Sequence, residues 1–254
     1  TGVLLIATAF VRSQGVLLIV PVAVLLVRSR DAREAMRALA PVAVAVAIFV
    51  VPWAIRNQAV MGEPYLINGN LGYNLRLAHA PYSTGTSVPP QDLWDEQPGI
   101  SFKQRERLFD DLGRERALDY ALGHPRREAE LAVKRVLYLL ESDAAASIDW
   151  SESLGRTPIG HGRDAFVLIG DIYWYAMLAL AALSLVLVRR TREWWALWSM
   201  LFAWTALHTV FAGEPRYHVP LTPIMAVLAA AVILWGIQKL HLPISQREQT
   251  PGQF

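Results

Sequence analysis

Long apolar runs separated by short charged blocks set the pattern of this chain. Apolar residues fill 2–27, 38–55, 165–188, 194–212 and 219–240. A helix needs about 20 such residues to cross a bilayer, so the pattern predicts about five transmembrane helices. Arg12-Ser13-Gln14 interrupts the first run, which reads either as one span or as a helix end, a break and a second helix. Nothing between Arg56 and Asp164 is long and apolar enough to span. The expected fold class is an all-α integral membrane protein whose extracytoplasmic loop carries two amphipathic helices. The expected divisions are membrane helices over 1–55, a loop and helical cap over 56–164, three membrane helices over 165–240 and a polar tail over 241–254. The chain opens on Thr1-Gly2-Val3-Leu4 with no basic flank before the apolar run. It is therefore expected to be the C-terminal part of a longer protein, not to begin with a secretory signal.

Within the long segment, 56–100 is rich in Gly, Pro and Asn and predicts an ordered loop with little regular structure. Residues 101–142 change character. Ser101 with Gln104 three residues on predicts a capping box. Leu108, Leu112, Leu118 and Leu122 recur at near-helical spacing, Gly123 suits a stop, and Pro125 suits the first turn of a second helix. That helix is expected to carry Ala129, Val133, Val136, Leu137 and Leu140 on one stripe, opposite Arg126, Arg127, Glu130 and Lys134. The two helices then pack on each other or lie at a membrane surface, and most of their charges read as a solvated face. Residues 143–163 read as a loop returning to the third span.

Composition fits this class. The chain of 254 residues is 54% hydrophobic and 18% charged, against roughly a quarter charged in soluble domains. A net charge of +2 gives no footprint for nucleic acid, and the absence of cysteine removes disulfides and thiol chemistry. Arg28, Arg30, Arg33 and Arg37 follow the first run, Arg189, Arg190 and Arg192 follow the third, and Lys239 and Arg247 lie at the end of the fifth and beyond it. All fall on one side, which the positive-inside rule makes cytoplasmic. The chain is thus expected to be multi-pass in the cell (inner) membrane, with 56–164 extracytoplasmic. Trp53, Trp194, Trp195 and Trp235 fall near span ends, as an aromatic belt requires.

Candidate chemistry sits at those ends. Arg56 and Asn57 close the second run, where an arginine either snorkels to ordinary headgroups or grips a lipid phosphate. Asn68-Gly69-Asn70-Leu71-Gly72-Tyr73-Asn74 reads as a sharp turn or as a source of amide groups for sugar hydroxyls. The hairpin Glu214-Pro215-Arg216-Tyr217-His218 joins the fourth and fifth runs, and polar groups at that depth are candidates for function. Glu214 and Arg216 equally suit a simple ion pair. His79, His124, His161, His208 and His218 have no metal-ligand spacing, so neither a metal nor a cofactor is expected. There is no phosphate loop, no dinucleotide fingerprint and no nucleophile elbow.

Taken together, these stretches resemble the GT-C membrane glycosyltransferases, the relatives of dolichyl-phosphate-mannose–protein mannosyltransferase and the aminoarabinose transferase of lipid A. Arg12-Ser13-Gln14-Gly15 resembles their Arg-Pro-x-Gly, with Ser13 in place of Pro. Pro52-Trp53-Ala54-Ile55-Arg56-Asn57 is similar to their Pro-Trp-x-x-Arg-Asn, and Gly72-Tyr73-Asn74-Leu75 to their Gly-Tyr-Asn-Leu. Ala121 to Pro125, followed by Lys134, is similar to the segment before their surface helix, and Arg216-Tyr217-His218-Val219-Pro220 to their Arg-Tyr-x-x-Pro. The resemblance implies transfer of a sugar from a polyprenyl-phosphate donor to a lipid, glycan or protein acceptor outside the cytoplasm. Membrane lipids are the other partner, and nucleic acid is not one. It implies that the activating carboxylate lies in a region N-terminal to this chain. Arg56 and Arg216 would stabilise the departing phosphate, with Tyr217 donating a hydrogen bond and Glu214 orienting Arg216. Asn57 would belong to the same substrate site, and Asn70, Tyr73 and Asn74 would line the sugar or acceptor cavity. A ligase or polymerase of lipid-linked glycans, and a non-enzymatic scaffold or transporter, remain the alternatives.

Overall fold

A computed structural model describes residues 2–29, 31–95, 101–144 and 162–241. Every regular element among them is helical. The expected loop over 143–163 is described only at its two ends, and His161, Arg247 and the tail lie outside the described residues. The chain divides into two compact units, 1–139 with 198–214, and 140–197 with 215–254. Three helical stretches are long and apolar enough to cross a membrane: Arg33–Met61, Arg163–Leu187 and Pro215–Leu240.

In the first unit, the initial apolar run is broken. Helix α1 (Gly2–Val11) stops at Arg12, whose backbone is extended, and a 3-10 turn (Ser13–Leu18) precedes α2 (Ile19–Ser29). Gly15 makes the break possible, because a Cβ there would meet the Thr8 carbonyl carbon at 2.7 Å. Helix α3 (Ala32–Met61) begins at Asp31, whose carboxylate accepts the Glu34 N–H at 2.8 Å, and ends at Gly62 in the left-handed region (φ 85°). Its 30 residues exceed the roughly 20 that a crossing needs, so the last turns run beyond that length.

The segment 56–100 departs from the expected loop. Helix α3 continues to Met61, and α4 (Leu71–Ala78) forms where Asn68 to Asn74 suggested a turn. Local composition lost here to packing. Gly72 of α4 crosses Gly113 of α6 (Phe102–Gly123) backbone to backbone, and a Cβ on Gly72 would sit 1.8 Å from the Asp110 carbonyl oxygen. Buried Asp110 then accepts the Gly72 N–H at 2.6 Å, capping α4 from another helix. A short turn, α5 (Gln91–Trp94), packs on the same helix through Trp94 and Phe109.

The capping box forms as the sequence predicts, with Ser101 and Gln104 each bonding the other's backbone, and α6 ends at Gly123. Helix α7 (Pro125–Leu139) starts at the expected proline. The expected stripes do not face inward. Leu118 and Leu122 on α6 and Val133 and Leu137 on α7 are exposed, whereas Phe109, Asp110, Gly113, Ala117, Leu131, Arg135 and Leu139 are buried. A buried arginine rotates the α7 face: Leu131, Arg135 and Leu139 share one side, and Val133 and Leu137 share the opposite one.

In the second unit, α8 (Arg163–Leu187) packs along α10 (Thr222–His241). Trp174, Met177, Ala181 and Ser184 form the buried stripe of one, and Met225, Leu228, Ala229 and Val232 that of the other. Helix α9 (Arg192–Val210) begins in this unit and ends in the first.

Candidate functional site

The C-terminal end of α3 is built by a chain reversal. After the left-handed Gly62, residues 63–67 run back along the helix they have just left. Two side chains of α3 pin this hook by its carbonyls: Asn57 Nδ2 donates to Tyr65 O at 2.7 Å, and Trp53 Nε1 donates to Ile67 O at 3.0 Å. Asn57 is 5% exposed, so its amide is committed to the fold. The Tyr65 ring packs on Gly69, where a Cβ would come within 2.6 Å, and burial with the nearby Asp110, Asp111 and Glu63 charges pushes its hydroxyl up.

Arg56 is exposed. Its guanidinium lies 4.9 Å from the centre of the Trp53 ring, and Nη1 donates to Asn57 Oδ1 at 3.1 Å. Trp53 is itself held by the edge of Phe10 at 5.5 Å. No carboxylate among the described residues pairs with Arg56. The arrangement is a cation with its plane steadied on two sides and its remaining N–H groups open, which suits a phosphate oxygen.

The other expected residues are distributed. Asn70 is the exposed residue before α4, and Tyr73 and Asn74 lie in its first turn. Tyr73 stacks on Phe109 at 5.8 Å, and burial raises its hydroxyl, so its ring is part of the α4–α6 packing. Glu214 accepts the Ser87 N–H at 3.2 Å within the first unit. Arg216 and Tyr217 form a 3-10 turn in the second unit, with the guanidinium 5.2 Å from the tyrosine ring centre.

Two ionic clusters went unforeseen, the first buried and the second partly exposed. Arg135, 1% exposed, donates through Nη1 to Thr209 O at 2.7 Å and through Nη2 to Ala78 O at 2.7 Å, and Nη2 also meets Glu128 Oε2 at 3.0 Å. One guanidinium thus caps the carbonyl ends of two helices, α4 and α9, where the helix dipole favours a cation. Burial pulls the Arg135 group below its ordinary value, and Glu128 opposes this. His79 Nδ1 approaches the same Glu128 oxygen at 2.8 Å. Burial and then the Arg135 charge depress the His79 pKa, against the pull of Glu128. Burial thus favours the neutral form of His79, and Arg135 is the cation beside Glu128.

In the second cluster, Nε and Nη2 of Arg76 reach Asp92 Oδ2 at 3.1 and 3.0 Å, and Arg116 Nη1 reaches the same oxygen at 3.1 Å. The Tyr82 hydroxyl donates to Asp92 Oδ1 at 2.5 Å. Burial raises the Asp92 carboxyl, but the bonds from Tyr82, Arg76 and Arg116 outweigh it and hold the group below its usual range. One sequence signal existed for the first cluster: Arg135 falls between Leu131 and Leu139 at helical spacing, a charge in an apolar stripe. Among the described residues no cluster of His, Asp or Glu has the geometry to hold a metal ion. Neither family models, nor curated proteins, nor solved structures give a match to the chain.

Proposed function

We propose that this chain is the carrier-binding part of a membrane glycosyltransferase of the GT-C kind, moving a sugar from a polyprenyl phosphate to an extracytoplasmic acceptor. The observation that carries the reading is Arg56: an exposed guanidinium, steadied by Trp53 and Asn57 and without a carboxylate partner among the described residues, at the end of a helix long enough to cross a membrane. In this reading α9 and the stretch from α1 to α2 also cross, which makes about five spans, and the loop 56–164 lies outside the cytoplasm.

In sugar transfer from a lipid phosphate, negative charge grows on the leaving phosphate as the glycosidic bond breaks. Donors already fixed at that position stabilise the transition state more than the ground state. Arg56 supplies such a donor, and the resemblance gives Arg216 and Tyr217, which belong to the other unit, the same kind of role. Asn57 serves by fixing the hook and the guanidinium, since its own amide is occupied by Tyr65 O. The resemblance puts the activating carboxylate upstream of residue 1, so the test uses the full-length protein. Arg56→Ala and Arg216→Ala are each expected to lower transfer from polyprenyl-phosphate sugar by roughly tenfold to a hundredfold, the loss of one charge-assisted hydrogen bond, with expression unchanged. Wild-type rates in both variants would remove the assignment. Undecaprenyl phosphate binding without any sugar transfer would leave a lipid-binding scaffold.

A further inference from the structure

The hairpin that leads into α10 is anchored by a buried ring. Pro215–Tyr217 forms a 3-10 turn that His218 closes, its N–H donating to the Pro215 carbonyl at 3.0 Å. His218 keeps a helical backbone (φ −82°, ψ −15°), and its own carbonyl accepts the Leu221 N–H at 2.7 Å over the next turn, Val219–Leu221. One residue thus joins the two turns that carry the chain into α10. At about 120° per residue in such turns, side chains two positions apart point to different sides. Burial follows that rule: Arg216 is exposed, and His218 is only 3% exposed.

The His218 imidazole lies flat on the indole of Trp174 in α8, with ring centres 3.6 Å apart and planes 16° from parallel. Trp174 is buried in turn, and its Nε1–H donates to the Leu140 carbonyl at 2.9 Å, which fixes the plane of the ring. Gly170, one turn earlier on α8, lets the segment after Leu140 come close, since a Cβ there would meet the Ala144 Cβ at 2.7 Å. All of these residues belong to the second unit. A three-residue turn holds its own shape through its backbone bond, but not its direction relative to the helices. The stack supplies that direction, because two flat faces in contact restrict tilt as well as distance. The Arg216 guanidinium, 5.2 Å from the Tyr217 ring centre, rides on the turn so held.

We infer that His218 and Trp174 are positioning residues for Arg216: their stacked rings fix the turn that presents its guanidinium to a lipid phosphate. This rests on the role proposed for Arg216 above and extends it to two residues that need not touch the ligand. Neither ring has to carry a charge for this, so an aromatic ring without nitrogen at position 218 keeps the effect.

The test uses the full-length protein in phosphatidylcholine nanodiscs, with undecaprenyl phosphate as the probe. Trp174→Leu and His218→Ala are each expected to weaken binding by roughly threefold to tenfold, the scale of one lost ring pair. Neither is expected to weaken it further in an Arg216→Ala background, because residues that act through one another are not additive. His218→Phe keeps a flat ring on the indole and is expected to bind like wild type. A nitroxide on Val219→Cys, an exposed position made the protein's single cysteine, reads the turn without any ligand. Its spectrum is expected to sharpen in Trp174→Leu and His218→Ala, and not in His218→Phe. If Arg216→Ala weakens binding while Trp174→Leu and His218→Ala bind like wild type, the stack does not position Arg216 and the inference fails, with the phosphate site intact. Equal losses with and without Arg216 would make the stack a general support of the fold and overturn it as well. So would a loss in His218→Phe as large as that in His218→Ala. If Arg216→Ala alone binds like wild type, the phosphate role of Arg216 itself fails and takes this inference with it.

Discussion

Replacing Arg135 by alanine leaves Glu128 buried without its cation and uncaps Ala78 and Thr209. The expected cost is about 3–5 kcal/mol, the range for breaking a buried ion pair from one side. The double variant Arg135→Met with Glu128→Gln should recover much of it, and unfolding midpoints in detergent measure both. His79 gives this cluster a pH dependence. Its folded pKa lies below the ordinary value near 6.5, so the unfolded chain binds the extra proton first. The groups facing it are Glu128 and Arg135. Its contribution is complete above about pH 6.5 and is lost as pH falls through the folded value. His79→Asn, which keeps an N–H toward Glu128, should flatten thermal stability measured between pH 7.5 and 5.5, conditions set on the scale of that ordinary value. Only the place of Arg135 between Leu131 and Leu139 marked this cluster in the sequence, and a buried arginine and a solvated one still look alike until the helix around them is seated.

At the scale of elements, glycines decide where helices approach. Gly72→Ala forces α4 away from Asp110, and Gly113→Ala meets the Gly72 backbone at 2.7 Å. Both should lower the unfolding midpoint. Gly123→Ala, with nothing within 4 Å of the added carbon, should leave the midpoint unchanged or raise it, with a stability gain of up to about 1 kcal/mol. Ser101→Ala removes half of a capping box and should cost about 1 kcal/mol. The cap, the Gly123 stop and the Pro125 start were readable because each acts within a few residues. The faces of α6 and α7 were not: the leucine spacing is helical, but Leu118 and Leu122 point outward, since α6 turns Gly113 and Phe109 toward α4 and α5.

At the scale of the whole molecule, orientation is the claim with the most consequence. The chain has no cysteine, so single reporters can be added cleanly. Leu122→Cys, at a position 80% exposed, should react with a membrane-impermeant maleimide in intact cells, and Arg190→Cys only after permeabilisation. The reverse pattern would put the loop 56–164 in the cytoplasm and remove an extracytoplasmic acceptor from the proposal.

The amino-acid sequence by itself determined the helical class, the three helices long and apolar enough to cross a membrane and the caps around residues 101–125. All of these follow from apolar run length or from bonds between near neighbours along the chain. Only the tertiary structure decided that residues 63–67 fold back on α3, that Asn57 is spent on Tyr65 while Arg56 stays open, and that Arg135 is buried between two helix ends. Those outcomes depend on partners distant in sequence, such as Thr209 for Arg135 and Asp110 for Gly72. A period or a motif records which residues a helix carries, but not which neighbour will satisfy them.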